Sequence, residues 1–335
     1  MAQGGPCREI WRRGMTLYDN HLHIINPATT PPALAAGRFD LSRAEMSMVL
    51  FLSRFIDSDL LPDTLEGALE VVDDVLKMYS SKWRRLRTLL ALWNMSIEKQ
   101  VKLISRMLKM NGVAGGNILL LPGTPAAAIY ETIGACDGSL LRVFVPWIHA
   151  NIPGVAGIKH YPSLQGGQWL QCADTACALD LPVISHCSPG GVRASGMGKR
   201  EAVTLNQPGK WLEIVRDRPI RLCLAHGGGG KWAKRLASNH YHADTLDYMT
   251  REAHPPTEWG GRLWVDTAFH DGQGTDAYRR AVMAAGAPWR VLWGSDFPFH
   301  LSGWSYQQAA ARGRCYWGDQ VAAQAEFTVV RHENN

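Results

Sequence analysis

Long hydrophobic runs are missing from this sequence. No apolar stretch reaches the roughly 18 residues that a membrane-spanning helix needs, so no such helix is expected. The stretch Met1 to Met15 carries charges and no apolar segment, so a secretory signal is not expected either. The seven cysteines, at 7, 136, 172, 177, 187, 223 and 315, form no CxxC pair. Their spacing gives neither a zinc knuckle nor a disulfide framework, and the expectation is reduced thiols in a cytoplasmic protein. Gly (33) and Pro (18) are too few for collagen-like or low-complexity sequence. Charge of one sign is also scarce: the net charge is +5, and the one dense basic stretch, Lys82 to Arg87, reads as a solvated helix face rather than a nucleic-acid patch.

Three motifs are absent as well. No GxGxxG follows the first apolar run, which argues against a dinucleotide-binding open sheet. The run His226-Gly227-Gly228-Gly229-Gly230-Lys231 lacks phosphate-loop spacing. No GxSxG elbow occurs that would make it the oxyanion loop of a serine hydrolase. Glycines after a strand-end histidine instead let backbone approach a ligand closely.

What the sequence does have is 46% hydrophobic residues in 335, enough for a large core. Eight short apolar runs recur: Leu17–His23, Asn117–Leu121, Leu141–Trp147, Gly157–Tyr161, Leu181–His186, Arg221–His226, Leu263–Ala268 and Val291–Asp296. Most are continuously apolar rather than alternating, the pattern of strands buried on both faces of a parallel sheet. Eight such units, with helical stretches between them, predict an α/β fold, a (β/α)8 TIM barrel, as a single domain over 1–335. A doubly wound open sheet is the alternative. Residues 30–115 are expected to be a helical insertion between the first and second barrel strands, serving as a lid, a specificity cap or a dimer contact. Its helical patterns are Leu41–Leu60, Thr64–Met78, Lys82–Leu90 and Ile97–Met110, with Asp63 or Thr64 as a cap and Asn111-Gly112 as a stop. Met48–Leu52 could instead hold a strand.

The chemistry concentrates at the ends of these runs. In Tyr18-Asp19-Asn20-His21-Leu22-His23, the two histidines are two apart and so project from one face of a strand, which suits a divalent metal such as Zn²⁺. Further runs end in His186, His226 and Asp296, and the fourth carries Lys159. Each alone can be an ordinary polar strand terminus. Together they fall where a barrel builds its active site, and burying them costs free energy unless they are paired or metal-bound. Asp296 is a candidate proton acceptor, His226 a proton donor and Lys159 an oxyanion stabiliser. Arg193, in the loop after His186, has the guanidinium fork for a substrate carboxylate. His270 and His300 sit in the last two strand-end loops and are candidate substrate contacts. Asp266 is a candidate for orienting a ligand histidine. Strand parity relative to the neighbouring histidines turns Cys187 and Cys223 toward the helices.

The segments DNHLH (19–23), GIKHYPS (157–163), LPVISHCS (181–188), LAHGG (224–228) and LWGSDFP (292–298), in this order, resemble the amidohydrolase superfamily of metal-dependent hydrolases. The likeness is greatest to its amidohydrolase-related branch, which also includes decarboxylases and a hydratase. Residues 30–115 match nothing recognisable in that family. The resemblance implies His21, His23, His186 and Asp296 as metal ligands, with Asp296 also taking a proton from the attacking water. It implies His226 as an acid/base or substrate contact in members with one metal, and as a ligand in members with two. Lys159 decides between them: one metal per chain is expected, and two if Lys159 is carboxylated. The implied activity is a metal-dependent hydrolase, cleaving an amide, lactone or ester-like C–N or C–O bond of a small molecule. The alternatives are a decarboxylase or hydratase of a small carboxylic acid, and a barrel that only binds. Neither nucleic acid nor membrane is an expected partner, and a homodimer is left open.

Overall fold

A computed structural model describes residues 16–32, 35, 43–53, 61, 64, 67–69, 84–187, 193–194, 196–229, 262–268, 290–298, 306–317 and 321–328. Eight strands form one parallel sheet in chain order. They are β1 (Leu17–Leu22), β2 (Val113–Leu119), β3 (Leu141–Val145), β4 (Val155–His160), β5 (Val183–Ser185), β6 (Arg221–Leu224), β7 (Arg262–Asp266) and β8 (Val291–Leu292). The last strand returns to the first: Asn20 N donates to Trp293 O, His23 N to Phe297 O and Asp296 N to His21 O. The result is the expected (β/α)8 barrel.

Helices α1 (Arg43–Leu52), α2 (Arg84–Asn94) and α3 (Ile97–Met110) lie between β1 and β2. In α3, Ser96 Oγ accepts the Lys99 amide and Glu98 sits in the first turn. These satisfy a free N–H and favour the positive end of the helix dipole. The helix stops at Asn111, followed by Gly112 at φ +58°, a conformation that favours glycine. Thr64 Oγ1 accepts the Gly67 amide, the cap expected there. Met48–Leu52 belongs to α1, which corrects the strand considered for it. Met46, Val49 and Leu52 are buried while Leu50 and Phe51 are exposed, a three-residue spacing that only a helix produces.

After β2 come α4 (Ala126–Ala135), a 3-10 turn at Trp147–His149, α5 (Trp169–Leu179), α6 (Lys199–Leu205), α7 (Gly209–Asp217), the short α8 (Ala225–Gly229), α9 (Tyr306–Trp317) and α10 (Val321–Thr328). Ile158, Val183, Leu222, Leu263, Val265 and Val291 face outward onto Cys172, Ala173, Ala176 and Trp211 of the helices. Leu119, Phe144, Ile184, Cys223, Trp264 and Leu292 fill the inside. Gly157 makes room there, since a Cβ on it would lie 2.2 Å from the Phe144 ring. Phe327 of α10 closes this layer, 5.4 Å from the Trp264 ring centroid, and Glu326 holds Arg262 at the start of β7 at 2.9 Å.

Cys223 therefore corrects its expected placement. It pairs in register with Ile184 and Trp264 and points inward with them. The chain leaves the strand at Leu224, and His226 takes φ +58°, so parity counted back from His226 misleads. Cys187 does pack with the helix-facing residues. The uniformly reduced thiols are also corrected. Cys315 is disulfide-bonded, whereas Cys136, Cys172, Cys177, Cys187 and Cys223 are free. Among the described residues, no helix is long and apolar enough to cross a membrane.

Candidate active site

Closing β1 against β8 brings the key donors together. His21, His23 and Asp296 are fully buried, and one ligand atom from each lies within 4.8 Å of the others. His21 Nε2 and His23 Nε2 stand 3.5 and 3.4 Å from Asp296 Oδ1. The other ring nitrogens are held from outside: His21 Nδ1 by Asp266 Oδ2 at 2.8 Å, and His23 Nδ1 by the Leu119 carbonyl at 2.8 Å. Both partners are acceptors, so each Nδ1 carries the proton and each Nε2 turns a lone pair toward Asp296. Among the described residues, His21 Nε2 has no hydrogen-bond partner. Burial, and then the Lys159 ammonium, push the His21 imidazole well below its ordinary pKa. Two neutral imidazoles and a carboxylate facing one buried point form a donor set that suits a divalent cation.

Asp266 braces this arrangement, as its sequence position suggested. Its Oδ1 accepts the amides of His226 and Ala268 while Oδ2 holds His21. Burial raises its pKa, opposed by electrostatic interactions with His226 and Lys159. His226 Nδ1 lies 3.0 Å from the Ala268 carbonyl and must donate to it, so His226 Nε2 accepts from His186 Nδ1 at 3.2 Å. That leaves the lone pair of His186 on Nε2. His186 stacks on Tyr161, whose ring centroid is 4.9 Å from Lys159 Nζ. His186 thus adjoins the His21–His23–Asp296 cluster through His226 rather than joining it. Lys159 is fully buried on β4. Arg193 is exposed, with no burial beside these groups. His270 and His300 lie outside the described residues, as do the side chains of the basic stretch Lys82 to Arg87.

Three supports are not evident from the sequence. Leu22 faces outward against Gly116, yet the consecutive residues Asn20 and His21 both face inward. A register shift between Asp19 and Leu22 permits this. Asn20 thereby bridges Asn117 Nδ2 and Cys223 Sγ. Gly294 lets β8 pass close to His21, and Asp19 touches both ends of the closure. The only signal of either in the sequence is membership of DNHLH and LWGSDFP. Asp296 itself sits at φ +58°, a left-handed conformation that aspartate tolerates better than most residues.

Behind β4 and β5, His160 Nε2 meets the Gly167 carbonyl at 2.7 Å, and Trp211 Nε1 donates to Ser185 Oγ at 2.7 Å. Burial pushes the His160 pKa down to about 3. Between that value and the unfolded value of about 6.5, the unfolded chain binds the extra proton, so stability falls as pH falls. From pH 7 to pH 5 the expected loss from this group is about 2 kcal/mol. Urea unfolding of the wild type and of His160→Gln at both pH values checks it. The variant should lose less stability over that interval, and an equal loss would remove His160 as the cause.

The sequence matches the family model described as Amidohydrolase over residues 148–325. No curated protein matches it. Among solved structures, the chain is similar to an amidohydrolase 2 from Bifidobacterium longum subsp. infantis, with 11% identity, 94% of this chain and 98% of that chain covered and a TM-score of 0.50. It is also similar to an amidohydrolase from Burkholderia multivorans with bound zinc, with 14% identity, 68% and 80% coverage and a TM-score of 0.41.

Proposed function

Since the chain belongs to the amidohydrolase family, we propose that it is a metal-dependent hydrolase of a small molecule, cleaving an amide, lactone or ester-like C–N or C–O bond. The observation that carries this reading is the convergence of His21 Nε2, His23 Nε2 and Asp296 Oδ1 on one buried point with both Nδ1 atoms tied elsewhere. We assign a single divalent cation, Zn²⁺, to His21, His23 and Asp296, with His186, which adjoins that cluster through His226, proposed as a further ligand. A cation there supplies Lewis acidity toward water and toward the substrate carbonyl.

The side chains do the rest. Asp296 takes the proton of the attacking water, its carboxylate being fixed beside both imidazoles. His226 returns a proton to the leaving group. Its Nε2 accepts from His186, so it exchanges that contact for the proton Asp296 gained from water before passing it on. Lys159 stabilises negative charge developing on the substrate oxygen. Arg193, His270 and His300 are proposed to contact substrate, Arg193 by closing over a carboxylate from the rim. Residues 30–115 are proposed as a lid, specificity cap or dimer contact. A cytoplasmic location is supported by the five free thiols and opposed by the Cys315 disulfide.

The test pairs elemental analysis of the purified protein with hydrolysis of amides, lactones and esters in ¹⁸O-labelled water. Label in the product is expected. Carbon dioxide release from a carboxylic acid without label would overturn the hydrolase in favour of a lyase. Lys159→Met is expected to keep one ion per chain while lowering kcat by about 100-fold, the loss of an electrostatic stabiliser. Two ions in the wild type falling to one in the variant would instead make Lys159 a carboxylated bridge.

A further inference from the structure

Three of the four donors proposed for the metal centre, His21, His23 and Asp296, lie on the two segments that close the barrel. Their spacing is therefore set by how β1 meets the end of β8. Backbone bonds join these segments, but one side chain reaches both. Asp19 Oδ1 accepts the amide of His21 at 3.1 Å and the amide of Ser295, next to Asp296, at 2.9 Å. Its other oxygen accepts the hydroxyl of Tyr306 at 2.8 Å. Tyr306 opens α9 and lies edge-on to Trp293 and Phe297, with ring centroids at 6.1 and 6.2 Å. Those two residues bracket the Gly294-Ser295-Asp296 turn. Tyr306 thus wedges the carboxylate-bearing turn from outside and fixes the carboxylate that joins it to the histidine strand.

We propose that Asp19 and Tyr306 are positioning residues that set the separation of His21 and His23 from Asp296, so that α9, the helix Tyr306 opens, governs metal affinity and turnover. Neither side chain belongs to the donor set. Tyr306 acts on Asp19, and Asp19 acts through the backbone amides beside two of the donors. The proposal rests on the metal reading above.

The test uses the full chain, with Zn²⁺ and Co²⁺ as probes and a chelator in competition, well below the unfolding temperature of every variant. Tyr306→Phe keeps the ring and removes the hydroxyl. It is expected to weaken metal binding by 10- to 100-fold, the range seen when a group supporting a ligand is lost. At saturating metal it should lower kcat with KM nearly unchanged. Asp19→Asn should act in the same direction. Ile129→Ala, in the buried face of α4, is the control for general destabilisation and should bind metal as the wild type does. Wild-type affinity in Tyr306→Phe, or equal weakening in Ile129→Ala, would overturn the proposal while leaving the metal centre intact. A wild type that binds neither ion would overturn the metal reading and this proposal with it.

Discussion

Replacing Asp296 with asparagine is expected to lower kcat/KM by about 10³-fold or more while leaving the metal-free protein at least as stable as the wild type. The catalytic loss has two sources. The amide is a poor metal donor, and it cannot take a proton. The stability result follows from the geometry. Asp296 Oδ1 faces the Nε2 atoms of His21 and His23, and the outer contacts of those rings make both nitrogens acceptors. Burying a carboxylate beside two imidazole nitrogens costs desolvation energy that an uncharged amide does not incur. An asparagine NH₂ can donate to either imidazole. Steady-state kinetics, metal content and urea unfolding of the chelator-treated protein measure the three quantities. A variant retaining more than about a tenth of wild-type kcat/KM would remove Asp296 from the chemistry. A marked loss of metal-free stability would show that the contacts of the carboxylate within the protein outweigh that desolvation cost.

The second large effect is expected at Gly294. A Cβ built there would lie 2.7 Å from His21 Cβ and 3.4 Å from Ala268 Cβ. Real Cβ atoms do not approach so closely, and His21 Cβ cannot rotate away, because it is fixed to β1. Gly294→Ala must therefore push β1 and β8 apart at the position that sets the distance from His21 to Asp296. Displacements of about 0.5 Å already degrade a metal or catalytic constellation. The expected outcome is a fall in kcat of about 100-fold and a stability loss of about 1–3 kcal/mol, with Gly294→Val worse on both counts. Kinetics at saturating metal together with thermal unfolding check this. Wild-type kcat in Gly294→Ala would mean that the strands absorb the methyl group without moving the imidazole.

The same closure explains which parts of the site could be read early. His21 and His23 were legible because two residues along a strand share a face, and their rings do lie together, 5.0 Å between centroids. The eight strands were legible because burial on both faces leaves a continuous apolar run, a property of each segment by itself. Asp266 was legible as a brace because it ends its strand as the histidines end theirs. Parity failed wherever the chain left ideal strand geometry. The shift within β1 turns both Asn20 and His21 inward, and the left-handed turn at His226 moves Cys223 to the opposite face from the one counted. A helical period in Met48–Leu52 was hidden because five consecutive apolar residues fit either secondary structure until burial separates their faces.

Local pattern alone was enough for the eight parallel strands, for the residue types at their ends and for the amidohydrolase likeness, because each depends on neighbours within a few positions. Only the tertiary structure brought residue 19 beside 295 and 306, put 266 behind 21, and made 294 a spacer for 21. Those contacts span some 240 to 290 residues of chain. They exist because the ring of strands closes on itself, and closure is a property that no single segment encodes.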